Sequence, residues 1–361
     1  MKCRSLTIGF LILLCCDLSA QSYIDRTFTE YFRKTGPGWI ASDGTISIPL
    51  PDGKVLWLFG DTYIDDYQAA DTSIPCLFQI RNSMLVQDAG DRSKFITIID
   101  STQAGVNRTP VKAALNDSTV FWPGHGFVKG DTAYVFWFRY HGKSLVHYGN
   151  YYTKIYWPEL TNAKAIINLI RLPEMDGKEF GNAVIAERGS EYVYIYGRGD
   201  HGKIYLARFP WKNLFTDWQY YNGSGWVKNA SGAVPVSDYD VSPSFSVISH
   251  KNKYYVISQE NGYLTCGMGR DMFSLSADAP VGPFKGKKIL YTMEDKYKGS
   301  YMITYNGTAH PEFNTKSGML ISYNVNDKCP GSCQFWETSR WNADLYRPKF
   351  VRVPYSMFEI K

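Results

Sequence analysis

Five aromatic-rich β-runs, each preceded by a tight polar turn, restrict what this chain can fold into more than any other feature. They read KVLWLFGD ending at Asp61, TAYVFWFR ending at Arg139, EYVYIYGR ending at Arg198, KYYVISQE ending at Glu260 and GMLISYNV ending at Val325. Pro51-Asp52-Gly53-Lys54, Lys129-Gly130-Asp131, Arg188-Gly189-Ser190, His250-Lys251-Asn252 and Lys316-Ser317 supply the turns, and another short apolar strand precedes each of them. A hairpin repeated at intervals of about 55 to 80 residues marks a radial array of small sheets. The expected fold is all-β, a five-bladed β-propeller. In such a ring the innermost strands start around one central funnel, so polar residues at those starts and at the exits of the second strands converge there.

The chain's 361 residues could hold two average domains or one large all-β domain. No flexible linker or low-complexity stretch interrupts it, so one domain is expected over residues 21–361. Aromatic residues make up 16% of the chain, which has 27 Tyr and 31 Gly, a composition suited to short strands joined by tight turns. Helical periodicity beyond two turns occurs only in Asn162–Leu172, expected to connect blades two and three. The expected blades run from Trp39 to Gln87, Phe121 to Pro158, Phe180 to Pro210, Val241 to Phe284 and Ala309 to Val353. Residues Gln21–Pro37 lead in, and Lys349–Pro354 is expected to seal the ring by pairing with an early strand. The formal charge of +5 is small and unclustered, with no basic stripe, which argues against nucleic acid as a partner. A monomer is expected.

The first twenty residues read as a signal peptide. Lys2 and Arg4 start it, Leu6–Cys16 form its apolar core, and Leu18-Ser19-Ala20 precede the cleavage point at Gln21. The apolar stretch is too short for a transmembrane span. Lipidation at Cys15 or Cys16 is the lesser reading, because Leu13 and Leu14 are large where such sites need a small residue. The expected location is therefore secreted or periplasmic, ahead of a lipoprotein at the cell surface. Of the remaining cysteines, Cys329-Pro330-Gly331-Ser332-Cys333 suits a local disulfide. Cys76 and Cys266 read as buried thiols whose mutual pairing is open.

The candidate chemistry follows from the repeat. Asp43 precedes an alternating strand where blade one meets the funnel, although Asp43-Gly44 could equally be a simple turn. Asp61 ends a very apolar run, and Arg139, Arg198 and Glu260 occupy the matching position in blades two to four. Asp240 precedes the first strand of blade four. His125 and His310 stand at comparable starts in blades two and five. Hydrolysis of a glycosidic bond needs two carboxyl groups, one protonated and one ionised. Asp43, Asp240 and Glu260 could supply them. On this reading Asp43 is base or nucleophile and Glu260 or Asp240 the acid. Asp61 and Arg198 orient or tune the pair, and His125 and His310 bind hydroxyls. Trp122, Trp39 and Tyr305 offer flat faces for sugar rings. There is no Gly-x-Ser-x-Gly elbow, His-Glu-x-x-His or phosphate loop. No cofactor is expected; a central divalent cation is the open alternative, with no ligand spacing that singles it out.

The segments DGTISIPLPDGKVLWLFGDTY, FGNAVIAERGSEYVYIYGRGDHGKIYLARFP, SPSFSVISHKNKYYVISQENGY and YNGTAHPEF…GMLISYNVN resemble secreted bacterial proteins of the domain-of-unknown-function families 4185 and 5005. The resemblance spans nearly the whole chain after residue 20. It implies a five-bladed propeller related to furanoside-cleaving glycosidases, the 4185 group including the endo-D-arabinanases of glycoside hydrolase family 183. It further implies a polysaccharide substrate, a periplasmic or surface setting, and a catalytic role for Asp43. At blade four this chain reads DVSPSFSV where the arabinanase-like pattern has Gly-Glu before the strand, a departure that bears on Asp240 and on D-arabinan as substrate. The other functional classes are a non-catalytic carbohydrate-binding propeller and, more remotely, a polysaccharide lyase recruiting His125, Arg198 and Tyr305.

Overall fold

The computed structural model describes residues 21–112, 118–187, 189–260, 269–326 and 340–358. Five antiparallel sheets form the five blades of a β-propeller. Each of the five aromatic-rich runs is the second strand of its blade: Val55–Phe59, Thr132–His141, Tyr192–Arg198, Lys253–Gln259 and Gly318–Asn326. The innermost strands are Ile46–Pro49, Thr119–Lys129, Glu179–Ile185, Ser246–His250 and Ile303–Ala309. The second strands are apolar on both faces because each blade packs a neighbour on either side. Leu58, Met84, Val135 and Trp137 fill the space between blades one and two. Phe136, Phe180, Ile195 and Phe209 do so between two and three, Tyr196, Leu206 and Val256 between three and four, and Met272, Ile321 and Val351 between four and five.

The ring closes as the sequence suggests. Lys349–Pro354, the third strand of blade five, pairs with Tyr23–Ile24 in the register Tyr23↔Arg352 and Ile24↔Val351. The helix Arg26–Tyr31 follows, its first turn capped by Asp25, whose Oδ1 accepts from the Phe28 amide at 3.0 Å. The helix and the residue after it insert Phe28 and Phe32 between blades five and one, among Trp57, Phe59 and Phe350.

Several boundaries differ from expectation, blade one running on to Phe95–Ile98 and blade four to Lys285–Thr292. Ile166–Arg171 is the outer strand of blade two, paired with His147–Tyr156, and not a helical connection. Blade three continues to Trp226–Val227 as a five-stranded sheet. Blade five begins at Ile303, not Ala309. Cys76 is disulfide-bonded, which corrects its reading as a thiol. Residues 1–20, Cys266, Cys329 and Cys333 lie outside the described residues. No helix among the described residues is long and apolar enough to cross a membrane.

Candidate active site

A small ribbon at one mouth of the ring brings two carboxyl groups together. Trp39–Ser42 pairs antiparallel with Thr62–Ile64 in the register Ser42↔Thr62, and Ile46 pairs with Leu58 just below. The register therefore sets Asp43 against Asp61. Gly60 donates its amide to the Asp43 carbonyl at 2.8 Å, and a Cβ on Gly60 would stand 2.6 Å from Asp43 Oδ1. Only glycine leaves room for the carboxyl at that point.

Asp43 Oδ2 accepts hydrogen bonds from the hydroxyls of Tyr346 at 2.9 Å and Tyr305 at 3.1 Å. The Asp61 amide also bonds the Asp43 carboxyl. Asp61 Oδ1 faces Arg81 Nε at 3.2 Å and accepts from Trp122 Nε1 at 3.2 Å. Arg81 lies over the Phe78 ring, its guanidinium carbon 4.6 Å from the centroid. Burial pushes both carboxyl groups up, Asp61 to about 7, where Arg81 opposes the shift and the neighbouring Asp43 adds to it. Two carboxyl groups sharing so dry a site resist double ionisation, although the Tyr346 and Tyr305 hydroxyls and Arg81 oppose the shift at Asp43. Arg81 is the full positive charge in contact, and it favours Asp61 as the ionised partner.

Beyond Trp122 the funnel carries a third acid. Trp122 packs on Tyr140 with centroids 5.1 Å apart, and the Tyr140 hydroxyl donates to Glu179 Oε1 at 2.5 Å. Glu179 begins the inner strand of blade three and pairs in register with Arg198. Arg198 acts electrostatically on Tyr140, and its buried Nε has no hydrogen-bond partner among the described residues. The mouth thus presents carboxyls, an indole face and a guanidinium within one contiguous set of contacts.

The other expected site residues stand elsewhere. The Asp240 side chain is 64% exposed and paired with Lys203 at 2.8 Å. The Glu260 side chain is 37% exposed and turned outward to Lys287 on the last strand of blade four, 3.1 Å away. Asp240 and Glu260 hold these surface ion pairs, Glu260 also accepting from the Asp271 amide at 3.4 Å, and no contact of either with the Asp43–Asp61 cluster occurs among the described residues. Arg139 is engaged by Thr119 and Tyr151. Trp39 is buried among Phe32 and Phe59, its indole N–H bonded to Ser42, and offers no sugar platform. His310 is 0% exposed with both ring nitrogens held by the Ser47 and Ser322 hydroxyls, so it has no nitrogen left for a substrate hydroxyl. His125 lies near the far ends of the inner strands, away from the carboxyl pair. Arg81, Tyr140, Glu179 and Tyr346 complete the site without having been foreseen. Glu179 alone had a sequence signal, a charged residue opening the strand before the third aromatic run. Among the described residues no group of three or more His, Cys, Asp and Glu side chains is arranged to hold a metal ion.

The fold is shared with solved structures. A protein from Bacteroides ovatus ATCC 8483, named only provisionally as a hydrolase, superposes with a TM-score of 0.77 at 22% identity, over 92% of this chain and 90% of that one. An exo-1,5-α-L-arabinanase from a bovine ruminal metagenomic library gives 0.51 at 9% identity over 89% and 95%. An exo-β-1,3-galactanase from Phanerochaete chrysosporium gives 0.50 at 10% identity over 92% of this chain and 64% of that one. At these identities the likeness is one of fold. No curated protein matches in sequence. Residues 25–355 match the family described as Domain of unknown function (DUF5005), and with that match spanning almost the whole propeller, the chain belongs to the DUF5005 family.

Proposed function

We propose that this protein is a glycoside hydrolase acting outside the cytoplasm on a furanose-containing or related polysaccharide. The observation that carries the reading is the buried Asp43–Asp61 pair set side by side at the mouth of the propeller, both carboxyls pushed up by burial. Glycosidic bond cleavage asks for one carboxyl that gives a proton to the leaving oxygen and another that attacks or activates water. Arg81 supports Asp61 as the anion, leaving Asp43 as the acid, its proton held by burial. This reverses the base role expected for Asp43. Trp122 and Tyr140 would carry the sugar face, with Glu179 and Arg198 bonding hydroxyls. The arabinanase and galactanase with the same fold act on polysaccharides and so favour that substrate class.

The lyase reading would need a tyrosine that ionises easily. Tyr305 and Tyr346 are pushed well above the usual phenol range by burial and by Asp43, so neither serves as a ready base.

The test is reducing-end release from a panel of furanose and pyranose polysaccharides by wild type, Asp43→Asn, Asp61→Asn and Glu179→Gln. Loss of either pair member should cost roughly 10²–10⁴-fold in kcat, while Glu179→Gln should act mainly on KM. On aryl glycosides with good leaving groups, which need no proton, Asp43→Asn should recover activity and Asp61→Asn should not. Full activity in both aspartate variants would remove the pair from the chemistry. Glycan binding with no hydrolysis by wild type would make the protein a capture propeller.

A further inference from the structure

We infer that the opposite mouth of the central channel is a second ligand site, which takes a neutral polyhydroxylated molecule of monosaccharide size. The inference is independent of the hydrolase reading. All five blades contribute to a cavity there of about 600 Å³, lined by the later residues of the five inner strands and the turns that follow them. That volume lies within the range of small-molecule sites, about 300–1,000 Å³. The Asp43–Asp61 pair sits at the starts of the same strands and lines none of it.

Two lining side chains, His125 beside the Gly126 backbone and Glu312 beside Ser47, each keep an unsatisfied buried atom. His125 Nδ1 from blade two and Glu312 Oε1 from blade five are buried and have no hydrogen-bond partner among the described residues. Buried polar atoms are paired in native proteins unless a water or ligand completes them. Two of the surrounding hydroxyls already take part in bonds. Ser47, which lines the cavity between these two blades, bonds His310 Nδ1 at 2.7 Å and the Glu312 carboxyl. Ser246 accepts from the Ala309 amide at 2.9 Å. The walls are apolar: Ile48, Phe127, Val184, Val247 and Pro311.

Polar atoms set in apolar walls suit a molecule with C–H faces and outward hydroxyls. Charge agrees with this. Burial pulls His125 down to about 4 and lifts Glu312 to about 7, so both are uncharged between those values. Charged groups near this mouth include Arg92 beside Glu312, Arg352 beside His310 and the exposed rim residue Glu187, with Lys129 ending the inner strand of blade two and Lys251 directly following that of blade four. With both groups uncharged the site has no net charge to draw an ionic ligand, and among the described residues no group of three or more His, Cys, Asp and Glu side chains is arranged to hold a metal there.

Saturation-transfer NMR with D-arabinose, D-galactose, D-glucose and xylitol would test this on wild type, Asp43→Asn, His125→Leu and Ala186→Trp, with circular dichroism to verify folding. Ala186 lines the cavity at the end of its strand, and a tryptophan there would fill the space without removing a polar group. At least one probe should bind wild type and Asp43→Asn equally. It should bind His125→Leu and Ala186→Trp roughly tenfold or more weakly. Three results would overturn the inference: no saturable binding of any probe up to about 50 mM, binding lost in Asp43→Asn alone, or binding retained in both cavity variants.

Discussion

Burial and a like-charged neighbour act together on Asp43 and Asp61, and the effect on stability follows from the direction of the shifts. Both folded-state pKa values are raised, Asp61 to about 7, and Glu312 at the far mouth is likewise raised by burial to about 7. Above about pH 4 the unfolded chain has released these protons and the folded one has not, so stability falls as pH rises, for Asp61 and Glu312 up to about pH 7. Asp88, Asp91 and Asp100 are held below the usual range by turn amides and neighbouring side chains, and they lose their contribution only at more acidic pH. Wild type should therefore be less stable at pH 8 than at pH 5, by on the order of 2 kcal/mol in urea unfolding. Asp43→Asn removes its own titration and the like charge beside Asp61, which burial still raises, and Glu312→Gln removes another contributor. The double variant should show a flatter profile, and an unchanged slope would mean that these carboxyls are not raised. The sequence singled out both members, Asp43 as a catalytic carboxyl and Asp61 as a tuning group, but not their pairing. Asp43 and Asp61 each sit at a strand boundary in an apolar setting, but that they face one another depends on the Ser42↔Thr62 register, which no local pattern announces. Arg81 and Tyr346 arrive from a loop and from the C-terminal turn, so the repeat gives no hint of them.

At the scale of elements, blades one and five meet through polar groups as well as through a packed core. The Thr308 hydroxyl donates to the Thr45 carbonyl, Asn324 bonds both Gly44 and Thr45, and His310 bridges Ser47 to Ser322. This seam runs from beside Asp43 toward the far mouth, so displacing it would disturb both ends of the channel. The N-terminal strand and helix reinforce it. Arg352 pairs with Asp25 at 2.8 Å with both side chains largely buried, and Phe32 stacks on Phe350 with centroids 5.0 Å apart while packing edge-on to Trp57. Phe32 is fully buried in this apolar cluster, so Phe32→Ala should cost about 3–5 kcal/mol in chemical denaturation. A loss below about 1 kcal/mol would show that the lead-in segment does not help to close the ring. The lead-in could be located by its hydrophobic residues, and the sealing role of Lys349–Pro354 followed from the need to cover a sheet edge. Ile166–Arg171 differs from expectation because it is an outer strand whose positions are half-buried or exposed, where Ile and Leu spacing fits helix and strand about equally well.

The fivefold plan of the whole molecule was legible because blades packed on both sides need second strands with almost no polar positions, and those five runs stand out. What joins the blades around the active mouth was less legible, since it relies on contacts between distant parts of the chain. Strand Ser73–Pro75, next to the disulfide-bonded Cys76, pairs with Arg340–Asn342. The turn Ala343–Leu345 follows directly and delivers Tyr346 to Asp43. The Tyr63 hydroxyl, on the ribbon strand opposite Asp43, donates to the Cys76 carbonyl at 3.1 Å. The disulfide is thus anchored where two excursions, from blade one and from the C-terminal region, cross beside the carboxyl pair. Cys76→Ser should lower stability by about 2–4 kcal/mol. If the crossing also positions Tyr346, kcat for the glycan substrate should fall even under conditions where the variant remains fully folded. Tyr346→Phe measured alongside separates the two effects, because it removes the hydrogen bond and leaves the crossing intact. A Cys76→Ser variant with wild-type kcat but a lower unfolding midpoint would confine the disulfide to stability. A matching drop in kcat for both variants, not deepened when they are combined, would place Cys76 and Tyr346 on one path to Asp43.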